Sequence, residues 1–377
     1  MTSENKLLER LTKQSCCFLV LFFLSSIFIT KIYGQIIFFE QEKTKGQDTF
    51  EKKNTLEGYE KEAWEQDKQH STKEIKKKLG KNYIKIKKNQ TNLLAVDYTE
   101  HNVARELVLD IYNMNSTSIS MEDIVIIWNG KKQKNVENSR NKIIKDLSIR
   151  YSTTDKGTFG AHITMKWKHV YMYSIYEDRD YIYVDYKRPK EVYDHIVVVD
   201  AGHGGTDTGT YAKRGKWAEK DYNLDFVNKI REIWQDENVK LCFTRLNDEE
   251  VSLSERVEFA NDLEADLFVS IHCNSTDEYA GNGLEALYKS KKYGEISKSI
   301  AENCLANLEE STGLSNRGVL NGENIYIIRK AKMPTVLLEM GFLSDEKDLA
   351  YMEQQENRKK MADAVCVSIK QGLEQIK

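Results

Sequence analysis

Ile196–Thr210, IVVVDAGHGGTDTGT, carries the decisive pattern. Four apolar residues run into Asp200, and Gly202, Gly204, Gly205 and Gly209 follow within a short turn. An apolar run of this length closed by glycines reads as a buried strand entering a tight turn. Downstream, Leu224, Val227, Ile230, Ile233 and Trp234 recur at helical spacing and predict a helix over about Tyr222–Gln235. Further apolar runs predict strands at Val239–Thr244, Leu267–His272, Gly283–Tyr288, Asn324–Ile328 and Thr335–Glu339. Helices are expected at Leu253–Leu263, Tyr293–Glu310 and Glu356–Ile376. Strands alternating with amphipathic helices imply an α/β fold over residues 191–377, a mostly parallel sheet flanked by helices.

Working outward, residues 91–190 change character. Short runs rich in β-branched and aromatic residues, such as Leu107–Tyr112, Ile124–Trp128 and Tyr181–Tyr186, are separated by turns such as Asn129-Gly130. They predict a small mostly-β accessory domain. Its His101, His162 and His169 lack ligand spacing and read as surface or packing residues, and its aromatic residues read as core rather than as a sugar platform. Residues 40–90 are dense in Lys, Glu, Gln and Asn and read as a charged, solvated tether, the Lys73–Lys88 run included. Residues 1–39 contain Ser15–Thr30, SCCFLVLFFLSSIFIT, with Lys6, Arg10 and Lys13 before it and Lys31 after. This reads as an uncleaved membrane anchor, with a cleaved export signal as the alternative. The cationic flank stays cytoplasmic, which puts the rest of the chain on the extracytoplasmic side.

Composition narrows the function classes. Across 377 residues, Lys+Arg 56 nearly balance Asp+Glu 59, giving a net charge of -3, which argues against nucleic acid as a partner. Six cysteines without a CxxC pair fit neither a disulfide scaffold nor a cysteine-type zinc module. Cys242, Cys273, Cys304 and Cys366 are expected as buried free thiols.

Three polar residues stand where an α/β fold builds its active site, just past the carboxyl ends of apolar strands. His203 follows VVVDAG, His272 ends LFVSIH and Glu339 ends TVLLE. One histidine after a strand is weak evidence, because a satisfied buried histidine is commoner than a ligand. Two of them and a glutamate on an apolar strand are harder to explain as packing, since a buried carboxylate is costly unless paired. Glu219, in KWAEKDYNL, precedes the first helix, where an acid also complements the helix dipole. Two imidazoles and one carboxylate form a common catalytic zinc set, although no short motif such as HExxH joins them here.

The stretches VVVDAGHGGTDTGT, FTRLND (Phe243–Asp248), VSLSERVEFAN (Val251–Asn261), ADLFVSIHCNS (Ala265–Ser275), NRGV (Asn316–Val319) and TVLLEMGFLSD (Thr335–Asp345) run in order over about half the chain. Together with Glu219 they resemble the zinc-dependent N-acetylmuramoyl-L-alanine amidases of the amidase_3 type. The resemblance implies one zinc on His203, Glu219 and His272, with Glu339 as catalytic general base and acid. It implies hydrolysis of the amide joining the lactyl group of N-acetylmuramic acid to L-alanine in peptidoglycan. Ala201 and Thr208 depart from prolines common in the family, but neither position supplies a ligand. No inhibitory helix is expected among the later strands.

Asp207, Asn274 and Arg317 are candidates to touch substrate or orient the ligands. Arg245 and Arg317 are also candidates for peptide carboxylates, whereas Arg256, beside Glu255 and Glu258, reads as a structural ion pair. Expected partners are peptidoglycan and, through the amino-terminal segment, a membrane, with an activator protein left open. Two other functions compete: a catalytically silent wall-binding or regulatory protein on the same fold, and a zinc peptidase of wall peptides.

Overall fold

A computed structural model describes residues 72–89, 95–114, 119–133, 143–153, 159–214, 217–276 and 281–376. The expected anchor and most of the expected tether lie outside the described residues. Among the described residues no helix is long and apolar enough to cross a membrane. Those within Lys68–Val96 and His101–Lys377 form one compact unit.

The charged tether does not extend to residue 90. Thr72–Lys78 forms helix α1 and Tyr83–Lys87 forms strand β1, with Ile75, Ile84 and Ile86 fully buried. Lysine-rich composition masks the two-residue alternation of Tyr83-Ile84-Lys85-Ile86-Lys87, which needs only its isoleucines on the inner face. The following strands are β2 (Ala95–His101), β3 (Glu106–Met114), β4 (Ile124–Trp128), β5 (Lys131–Lys132), β6 (Ile144–Thr153), β7 (Phe159–Trp167), β8 (Met172–Glu177) and β9 (Tyr181–Lys187). One antiparallel sheet is ordered β5-β4-β1-β9-β8, and in a second, β7 lies antiparallel between β3 and β6. Trp167, Tyr171 and Tyr186 are buried together, with the Trp167 ring 4.9 Å from Tyr186 and 5.3 Å from Tyr171. These rings are core, as their strand spacing suggested.

The α/β region follows with β10 (His195–Ala201), α2 (Glu219–Ile233), β11 (Val239–Phe243), α3 (Leu253–Leu263), β12 (Leu267–Asn274), β13 (Leu284–Tyr288), α4 (Gly294–Thr312), β14 (Asn316–Asn321), α5 (Tyr326–Lys330), β15 (Thr335–Phe342), α6 (Glu346–Met352) and α7 (Gln355–Gln375). Its sheet is ordered β11-β10-β12-β15-β13-β14, and only the β13–β15 pair is antiparallel. Val197 and Val199 face a core shared with α2, α4 and α7, while Ile196 and Val198 face a second core shared with α3 and α5. Burial on both faces explains why these strands read as unbroken apolar runs.

Two expectations change in this region. Asn324–Ile328 is not a strand, because Tyr326–Lys330 is helical and Asn316–Asn321 supplies the strand instead. A short apolar run does not by itself distinguish strand from helix, and NRGVLN hides its strand behind polar residues and a glycine. Lys289, almost fully buried, donates to Ile328 O and Arg329 O and so caps the short helix.

Asp262 on α3 fastens the β-rich strands to the α/β region. It accepts from Val170 N at 2.7 Å and Arg105 Nε at 3.1 Å, and it pairs with His169 Nδ1 at 2.6 Å. Burial alone would raise its pKa, but His169, the Val170 amide, Arg188 and Arg105 outweigh that effect and hold it below the usual value. A depressed carboxylate stabilises the fold above its unfolded pKa, and that contribution is lost as pH falls through the folded value. Asp262→Ala should cost about 1–3 kcal/mol near pH 7, and the gap from wild type should close as pH falls below about 4. Thermal unfolding of both proteins at pH 7 and at steps from pH 4 down to about pH 2 checks this; a gap that does not narrow over that range contradicts it.

Candidate metal centre and acid/base site

Beneath the site lies a buried ion pair. Asp200, fully buried at the end of β10, accepts from Arg256 Nη1 at 2.5 Å, Thr244 Oγ1 at 2.6 Å and Ser270 Oγ at 2.6 Å. Arg256 also donates to Ala201 O and His203 O, each at 2.6 Å. Arg245, 2% exposed, donates at 2.9 Å to Ala201 O, Gly202 O and Lys220 O. Arg256 is therefore structural, as expected, but its ion-pair partner is Asp200 rather than the neighbouring Glu255 or Glu258. Arg245 is not open to a peptide carboxylate, because its guanidinium is spent on backbone carbonyls.

These bonds hold the turn in an unusual shape. His203 has φ 61°, a left-handed conformation that costs a non-glycine residue about 1–3 kcal/mol when the surroundings impose it. Its Nδ1 bonds Asp207 Oδ2 at 2.8 Å, which turns Nε2 toward Glu219 Oε1 at 3.2 Å. Gly202 is required by close approach, since a Cβ there would stand 2.2 Å from the His272 ring. At Gly209 a Cβ would stand 2.5 Å from Glu219 Oε2.

Glu219 is the first residue of α2 and is 6% exposed. Its Oε2 accepts from Thr210 N at 3.0 Å, and its Oε1 lies 2.9 Å from His272 Nδ1 and 3.3 Å from Cys273 N. Ligand atoms of His203, Glu219 and His272 all lie within 4.8 Å of one another. Burial opposes the charge on Glu219, yet hydrogen bonds from His203 and His272 hold its pKa far below the carboxylate range. Burial would lower the pKa of His203, but the bonds to Glu219 and Asp207 push it up to about 9. A divalent cation would take the place of these protons between the same atoms. Two neutral nitrogens and one carboxylate oxygen match the donor set of a catalytic zinc site, so the residues fit the metal.

Sheet register completes the site. His272 on β12 stands opposite Glu339 on β15, which stands opposite Glu285 on β13. Opposed residues share a face, so the three side chains form a row. Glu339 is half-buried, and its Oε2 is closed to solvent with no hydrogen-bond partner. Burial pushes its pKa up to about 7, with His272 and His203 opposing and Glu219 and Glu285 adding to the rise. A carboxyl group balanced there both accepts and donates protons near neutral pH.

The other candidates divide. Asp207 touches His203, whereas Asn274 Nδ2 bonds Glu285 Oε2 at 3.3 Å and Arg317 Nε lies 3.5 Å from Glu285 Oε1. Glu285 was missed by sequence reasoning, although an acid inside the apolar strand GLEALY was a usable signal. His162, bonded to Asp110 at 2.5 Å and Ser152 at 3.0 Å, and His169 on Asp262 belong to the β-rich strands. Cys242, Cys273, Cys304 and Cys366 are buried free thiols.

A mostly parallel sheet with a His-Glu-His cluster and a half-buried carboxylate along its strand ends defines an α/β protein with a candidate metal centre and an acid/base group beside it. Comparison with known proteins sharpens that class. A family model described as N-acetylmuramoyl-L-alanine amidase matches residues 197–371. YqiI of Bacillus subtilis, described as uncharacterized, is 36% identical over 173 residues, which are 46% of this chain and 82% of that protein. The amidase LytC of Bacillus subtilis is 33% identical over 169 residues, 45% of this chain but only 34% of LytC. The solved catalytic domain of the amidase CwlV from Bacillus (Paenibacillus) polymyxa var. colistinus shares 35% identity over 48% of this chain and 99% of that one, with a TM-score of 0.45. The chain belongs to the N-acetylmuramoyl-L-alanine amidase family, and its enzyme class is that of these amidases.

Two substitutions test the geometry. Gly202→Ala should leave the fold intact and abolish tight divalent-cation binding, because the new methyl displaces the His272 ring. Asp207→Ala should weaken that binding by about 10–100-fold by releasing His203. Zinc titration calorimetry with a circular dichroism control reads both, and unchanged affinity in either variant rejects the role given to that residue. Arg256→Ala should cost about 3–5 kcal/mol in a denaturant titration by stranding the Asp200 charge; a loss under 1 kcal/mol would show that Asp200 does not depend on it.

Proposed function

We propose that the protein is a peptidoglycan hydrolase that binds zinc through His203, Glu219 and His272 and cleaves the amide between the lactyl group of N-acetylmuramic acid and L-alanine. The observation that carries this reading is the unpartnered Oε2 of Glu339, set by register beside His272 and so beside the ligand cluster. When bound, zinc supplies a Lewis acid that polarises the scissile carbonyl and makes a water a better nucleophile at neutral pH.

The protein's own residues do the rest. Asp207 fixes the His203 tautomer, and the Thr210 and Cys273 amides hold Glu219 in place. Glu339 takes a proton from the attacking water as the new carbon–oxygen bond forms. It then delivers that proton to the L-alanine nitrogen as the carbon–nitrogen bond breaks, so the lactyl carboxylate and a free amine leave. We place this activity on the extracytoplasmic side of a membrane, a reading supported by the apolar Ser15–Thr30 segment and its cationic flank.

The test digests purified peptidoglycan with the full chain and zinc and identifies the fragments by mass spectrometry. Wild type should release peptides that begin with L-alanine. Glu339→Gln should keep its zinc and lose about 10²–10⁴-fold in rate, whereas His203→Ala should lose both zinc and activity. Cleavage inside the peptide would replace the amidase reading with a peptidase, and an active Glu339→Gln protein would remove the role assigned to that carboxylate.

A further inference from the structure

The row His272, Glu339, Glu285 continues one strand further. β14 pairs with β13 through Leu284↔Asn316 and Ala286↔Val319, and Arg317 sits in the irregularity between those pairs, next to Glu285. Two strand spacings place its strand about 10 Å from that of Glu339.

Arg317 is held differently from the two arginines below the metal loop. Arg245 and Arg256 are 2% exposed and use their guanidinium groups on Asp200 and the loop carbonyls. The Arg317 side chain is 41% exposed, and its two polar contacts, Nε to Glu285 Oε1 and Nη1 to Asn282 O, are both 3.5 Å long. Neither involves Nη2. The Phe342 ring lies 5.1 Å from Cζ and orients the planar group without adding a counter-charge to the long Glu285 pair. A half-exposed pair at 3.5 Å adds little to stability, so holding the fold together is a poor account of this arginine.

We propose that Arg317 reads a carboxylate on the peptide half of the substrate, at a position beyond the L-alanine whose amide is cut. This rests on the amidase reading above. Chemistry selects the peptide half: once the lactyl carboxyl is tied up in the scissile amide, the N-acetylated sugars carry no charge, whereas the residues after L-alanine can carry free carboxylates. A guanidinium fork offers such a group two parallel hydrogen bonds, and here Nη2 has no hydrogen-bond partner among the described residues while Nη1 is held only by the 3.5 Å contact to Asn282 O. Arg317 is thus a specificity residue at the end of the catalytic row.

The experiment uses the full chain with zinc and two synthetic N-acetylmuramoyl peptides that differ only in the residue after L-alanine, which carries a free carboxylate in one and its carboxamide in the other. Wild type should favour the acid by about tenfold or more in kcat/KM, mostly through KM. Arg317→Gln should erase that preference by raising KM for the acid while kcat changes little, and Arg317→Lys should restore part of it. Calorimetric binding of both peptides to Glu339→Gln protein gives the same comparison without turnover. Equal KM values for the two peptides in wild type, or a preference unchanged in Arg317→Gln, would overturn the proposal. Absence of turnover on both peptides with the binding preference intact would instead remove the amidase reading and leave the carboxylate site standing.

Discussion

The buried pair between Asp200 and Arg256 is the constraint on which the site depends. A buried ion pair is no reliable source of stability, because desolvating two charges costs about as much as their attraction returns. Its value here is geometric. Asp200 fixes Arg256, and the remaining donors of Arg256, joined by Arg245, saturate the carbonyls of Ala201, Gly202 and His203. An apolar replacement could fill the same volume, but it could not hold three consecutive carbonyls while His203 sits in a left-handed conformation.

The sheet contributes a second constraint. Each functional side chain comes from a different element: His203 from the turn after β10, Glu219 from the start of α2, His272 from β12 and Glu339 from β15. Register puts His272, Glu339 and Glu285 on one face, and the two cores on either side of the sheet keep that register from slipping. A slip of one residue would turn Glu339 into the core and bring Leu338 or Met340 to the site. The electrostatic contrast follows from the same placement. Glu219, between two imidazoles, stays ionised, while Glu339, closed off and near two other acids, retains a proton close to neutrality.

Outside the site, local pattern and tertiary context disagree in instructive places. Tyr83–Lys87 is strand despite its lysines, because alternate isoleucines suffice once β4 and β9 pair with it. Tyr326–Lys330 is helix despite an apolar run that suits a strand, and Lys289, just past the end of β13, caps the carbonyls of Ile328 and Arg329. His169, read as a surface or packing residue, is exposed and also joins Arg105, Arg188 and the Val170 amide on Asp262, a contact that no local pattern announces.

The sequence by itself determined the α/β pattern, the strand-end positions of His203, His272 and Glu339, and, through resemblance, a candidate metal set with Glu219 that the fold brings together. Those features are legible because strand period, glycine-rich turns and residue chemistry are local properties. Only the tertiary structure decided that Arg245 serves the backbone while Arg317 faces outward, that Asp207 orients His203, and that Glu285 stands beside Glu339. Each of these depends on which residues lie opposite one another across strands that are distant in sequence. Pairing is fixed by the packing of the whole sheet, a property that no single stretch of the chain carries.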